Sequence, residues 1–129
     1  MIEIFGATGK IQEIEEFLEE INLFSKKNSC IIQSFDSELI FGKDHLKSAV
    51  DHAKRAIENK TNTSNTLEME ILLYASGERQ LKKAIPKMGV KKGDSSIAFV
   101  LISEKSDKKL GDKLIKDLSL ERNEKVLKG

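Results

Sequence analysis

Residues 65–85 read NTLEMEILLYASGERQLKKAI. Leu67, Ile71, Leu72 and Ala75 recur at three- and four-residue spacing, which predicts a helix with one buried face. Asn65 is placed to cap it, with Glu68 reaching back as the third helical residue of a capping box. A break follows at Ser76-Gly77, and a second helix opens on Glu78-Arg79-Gln80 and turns basic. Ser76 is expected to cap that second helix, Glu78 to complement its positive end, and Pro86 to stop it. A serine, a glycine, an arginine and a glutamine thus meet at a polar corner between two apolar helical stretches.

On the N-terminal side, Met1 to Phe5 alternates apolar and acidic residues and predicts a strand, with Gly6 to Gly9 as a turn. Ile11, Ile14, Phe17, Leu18 and Ile21 mark an amphipathic helix whose acids face solvent. Cys30 to Ile32 begins a short strand, and Leu39 to Phe41 is a second short apolar stretch. Asp44 is expected to cap a helix striped by Leu46, Ala49, Val50, Ala53, Ala56 and Ile57, and Asn59 to Asn65 is a polar linker. On the C-terminal side, Lys91 to Ser95 predicts a turn, and Ile97 to Ile102 is apolar enough for a central strand. Asp107 then opens a helix through Leu110, Leu114 and Ile115, and Leu118 to Leu120 predicts one more short strand. Helices interleaved irregularly with four or five strands imply an α+β class, a small mixed sheet packed with helices, in a single domain over residues 1–129.

A chain of 129 residues holds one core, and 33% charged residues give a heavily ionised surface. No apolar run approaches the length that spans a bilayer, no secretory signal is visible, and Cys30 stands alone. These features point to a cytoplasmic protein. The net charge of +1 is unevenly spread. The segment from Gln12 to Glu20 carries five acids and no base, whereas Gly77 to Gly93 carries Arg79, Lys82, Lys83, Lys87, Lys91 and Lys92 against Glu78. A basic patch on a near-neutral chain suggests one anionic partner at one place, although a solvated helix face also accounts for it.

Most motifs that invite a chemical reading fail on spacing. Gly6-Ala7-Thr8-Gly9-Lys10 has two residues between its glycines where a phosphate loop needs four, and Ile11 follows the lysine. His45 and His52 lie about two helical turns apart with Ser48 between them, too far for one metal. Cys30 has apolar neighbours that would raise its thiol pKa. Glu70 is expected to be a structural carboxylate paired with a base. No metal, no cofactor and no enzymatic centre is implied. The corner remains. Arg79 offers a planar fork suited to phosphate or a base edge, Gln80 a base-reading amide, and Lys82 and Lys83 charge, a set that fits a single-stranded nucleic-acid end or equally a helix-to-helix tie.

The block from Met69 to Leu81, MEILLYASGERQL, followed by Ala84-Ile85 and Met88-Gly89-Val90, resembles the small kinase-associated subunit of the KEOPS tRNA-modification complex, the family of the PRPK-binding protein TPRKB. The S-G-x-R-Q corner is closer to its archaeal branch, and weaker resemblance runs from Leu39 to Ser103. The resemblance implies a non-catalytic subunit that binds the small atypical kinase of KEOPS and recruits tRNA by its 3′ CCA end. It carries RNA binding onto Ser76, Gly77, Arg79 and Gln80, with Lys82 and Lys83 in electrostatic support; Lys54 and Lys60 join them on charge alone. Members continue with another helix beyond the position of Gly129, so the resemblance implies a domain short of that helix and an exposed apolar strip that favours self-association. The rival classes are an enzyme or small-ligand domain binding a phosphorylated metabolite at the corner, and a kinase-binding adaptor without RNA binding.

Overall fold

The computed structural model describes residues 1–105 and 107–127, leaving out the side chains at positions 81 and 86–88. The elements are β1 (Ile2–Ile11), α1 (Ile14–Asn28), β2 (Cys30–Asp36), a 3₁₀ turn (Ser37–Leu39), α2 (Gly42–Glu58), α3 (Leu67–Ser76), α4 (Leu81–Met88), β3 (Gly93–Ser103), α5 (Leu110–Asp117), β4 (Glu121–Arg122) and a second 3₁₀ turn (Glu124–Leu127). The four strands form one sheet in the order β2-β3-β1-β4. Every pairing is antiparallel, so the class is α+β while the sheet itself is not mixed in direction. Because β1 and β2 both oppose β3, they run the same way on either side of it, a split β-α-β unit around α1.

β3 explains its own composition. Ile97, Phe99 and Leu101 face one core with Phe5, Ala7 and Ile11, covered by α1 and α5. Ala98 and Val100 face a second core with Ile4, covered by α2 and α3. A strand buried on both faces has no position left for a polar residue, and Ile97 to Leu101 are all at most 1% exposed. Phe5 and Phe99, directly opposed in the ladder, stack with ring centroids 5.2 Å apart.

Several local expectations are corrected. Gly6 to Gly9 is not a turn but the middle of β1. Its glycines make room for the C-terminal segment: a Cβ on Gly6 would lie 2.5 Å from the Asn123 carbonyl oxygen, and one on Gly9 would strike Leu120. In the apolar stretch from Leu39 to Phe41 only Ile40 is buried. Asp36 Oδ1 accepts from the Glu38 amide at 3.1 Å and winds Ser37–Leu39 into a 3₁₀ turn. α2 starts at Gly42 after Phe41, which puts Asp44 inside the first turn instead of at the cap. Asp107 stands a turn before α5, its Oδ1 accepting from the Lys109 amide at 2.9 Å. Leu118 and Leu120 are buried but not in a strand, because Ser119 is left-handed at φ 57° and the amides of 118 and 120 still bond back to Leu114 and Ile115. Pairing falls instead on Glu121–Arg122. Arg122 then clamps this segment, bonding Glu124 at 2.9 Å, Asp112 at 2.6 Å and Glu3 at 2.8 Å, with its guanidinium 5.1 Å from the Phe5 ring centroid.

Candidate functional site

The α3–α4 corner differs from the expected capping at both helices. Thr66, not Asn65, caps α3, its Oγ1 accepting from the Met69 amide at 3.4 Å. Both neighbours are good caps, and the register that buries Ile71 and Leu72 selects Thr66. Glu68 therefore closes no capping box. At the other end Gly77 is left-handed at φ +73°, the usual way for a helix to finish. Ser76 belongs to α3 and is buried. Its Oγ donates to the Leu73 carbonyl at 3.0 Å and accepts from the Glu78 amide at 3.1 Å, so it ties off α3 and does not cap α4. α4 starts at Leu81 after Gln80, with no side-chain cap, and its helical backbone continues past position 86.

The corner overlies a cavity of about 340 Å³ lined by Thr63, Glu70, Leu73, Tyr74, Gly77, Glu78 and Arg79. Glu70 is 2% exposed and has no basic partner among the described residues, contrary to the salt bridge expected from sequence. Its carboxylate accepts from the Thr63 amide at 3.0 and 3.1 Å, the Ser64 amide at 2.9 Å and the Ser64 hydroxyl at 2.8 Å. Burial pushes its pKa up, but these donors outweigh burial and hold it below the ordinary value. The 59–65 linker is thereby folded back onto α3. Tyr74 is 44% exposed and stacks on His52 of α2, ring centroids 5.5 Å apart, while the Arg55 guanidinium reaches His52 Nδ1 at 3.1 Å.

Of the predicted site residues, Gly77 and Arg79 line this cavity, and Ser76 lies buried behind it. Arg79, Gln80, Lys82 and Lys83 are exposed, and none has a side-chain partner among the described residues. Lys54, half-buried on α2, and Lys60, exposed and left-handed at φ 58°, do not line the cavity. Lys87 lies outside the described side chains.

The family model for kinase binding protein CGI-121 matches residues 10–128. The chain belongs to that family. No curated protein gives a significant match. In this CGI-121 family member His45 is structural. The Phe41 amide donates to His45 Nδ1 at 3.0 Å, leaving the Nε2 proton for the Ala75 carbonyl at 2.8 Å, so His45 fastens the start of α2 to the end of α3. Burial pushes the Cys30 thiol up, as its apolar neighbours predict. No described helix is long and apolar enough to cross a membrane. Sequence reasoning missed Thr63, Ser64, His52 and Arg55 as the support of the corner. No local motif marks them, because each comes from a segment that folding brings to α3.

Proposed function

We propose that this chain is a non-catalytic, cytoplasmic subunit of the KEOPS tRNA-modification complex that binds the small atypical kinase and recruits tRNA by its 3′ CCA end. The kinase half rests on membership of a kinase-binding family. The observation that carries the RNA half is the exposed fork of Arg79 at a cavity shared with the half-exposed Tyr74 ring, beside Gln80, Lys82 and Lys83, all four without a side-chain partner among the described residues. A guanidinium reads phosphate or a base edge, and an aromatic ring receives an unstacked base. Ser76 shapes the corner from within the fold, and Gly77 lines the cavity. Lys54 and Lys60 enter only as distant charge.

A phosphorylated metabolite fits this cavity poorly, because the ionised Glu70 carboxylate lines it and repels a small anion. A terminal nucleotide would avoid that repulsion with its phosphates at Arg79 and its neutral base toward the carboxylate. The test is binding of one tRNA transcript with and without its terminal CCA at a fixed moderate salt, since basic patches bind RNA in a salt-dependent way. Loss of affinity on removing CCA supports 3′-end capture. Equal binding overturns it and leaves a kinase adaptor.

A further inference from the structure

Two adjoining cavities of about 500 and 450 Å³ form one groove, sharing Leu18, Gln33, Ser34 and Met69. Its walls are α1 on one side and α3 with the end of α4 on the other, and its floor is β2, an edge strand of the sheet. Leu18, Leu72, Met69, Ile85 and Val90 make it apolar, and Leu18 and Ile85 are 46% and 48% exposed. Glu19 and Glu68 line one end, where no base is among the described lining residues, whereas Lys91 lines the other. Along α1, Glu15, Glu16, Glu19 and Glu20 are exposed and have no ion-pair partner among the described residues; Glu13 alone is paired, with Lys92 at 3.4 Å.

These charges select the occupant. A polyanion is repelled by the α1 carboxylates, so the groove is separate in kind from the basic corner. Strand addition is blocked midway, because the Ser34 amide already donates to Gln33 Oε1 at 3.0 Å and Gln33 Nε2 to the Glu68 carbonyl at 2.8 Å. What fits is a helix with an apolar stripe and lysines or arginines at its acid-facing end. We infer that the α1–β2–α3 groove docks such a basic amphipathic helix of the kinase partner, an inference that rests on the kinase partnership proposed above.

The experiment measures affinity of the full chain for its cognate small kinase and, separately, for tRNA, along with thermal midpoint and mass against concentration. Leu18→Asp should weaken kinase binding at least about tenfold, as burying a charge in a docking pocket does. Glu19→Lys should weaken it several-fold, mainly by slowing association. Leu23→Asp, on the same helix and 60% exposed but outside the groove, should leave it unchanged. All three sites are exposed, so the midpoint and tRNA affinity should stay at the wild-type values. Kinase binding by the wild type with undiminished binding by Leu18→Asp and Glu19→Lys overturns the groove and leaves the partnership standing. No binding by the wild type removes the partnership and the groove together. A concentration-dependent mass that Leu18→Asp abolishes, with kinase affinity untouched, assigns the groove to a second copy of the chain and overturns the kinase helix.

Discussion

Arg79 and Glu70 stand on one cavity wall with opposite duties, and single substitutions separate them. Arg79 is exposed and without a side-chain partner among the described residues, so Arg79→Ala should leave the urea midpoint unchanged and weaken tRNA binding by about 1–3 kcal/mol. If its contact is to a phosphate, the slope of log affinity against log salt should also flatten by about 0.7, the share of one phosphate on a single strand. Glu70 works inside the fold. Its folded pKa is lowered from 4.5, so the carboxylate contributes stability that is complete above about that pH and is lost as pH falls through the lower folded value. Glu70→Gln should cost about 1.5–3 kcal/mol near neutrality, the range for hydrogen bonds to a charged group. The gap between mutant and wild type in urea unfolding should then close on acidification below pH 4.5. A gap that persists at low pH would mean the loss comes from packing and not from charge.

At the scale of elements, Gly77 tests the corner cleanly. A Cβ there would meet nothing within 4 Å, so only the left-handed backbone matters. Gly77→Ala should therefore destabilise the fold by about 1 kcal/mol, and Gly77→Asn by less, read from urea midpoints. The elements themselves were largely legible. The Ile97 to Ile102 run declared a central strand because two buried faces leave a pure apolar composition, and the α2 stripe gave that helix by its period. What was hidden depended on segments distant in sequence. Gly6 and Gly9 look like turn residues until Leu120 and Asn123 are known to pass over them. Glu70 looks like half an ion pair until the Thr63 and Ser64 amides fold onto it. Asn65 is locally the better cap, and only tertiary burial of α3 selects Thr66 over it. At the site, Arg79 was readable as an exposed arginine in a polar corner. The His52–Tyr74 stack joins two helices 22 positions apart and had no local signal.

For the molecule as a whole, β3 is the shared wall of two cores, and its amides should be the slowest to exchange with solvent. The amides of Ile97 to Leu101 should open only with global unfolding, while those of β4 exchange by local release. Hydrogen exchange followed residue by residue checks this; fast exchange in β3 would mean the two halves open independently. The same topology sets the order in which the chain can be assembled. β1 pairs with β3 and β4, and β2 with β3 alone. A ribosome making this protein has therefore emitted both leading strands, and all of α1 to α4, before either strand has anything to bond. Until Gly93–Ser103 emerges, β1 and β2 are bare edges carrying Ile4, Phe5, Ile32 and Phe35. A ribosome stalled before the codons of Gly93–Ser103 would hold a nascent chain with helices but no sheet, the state in which this protein most needs a chaperone.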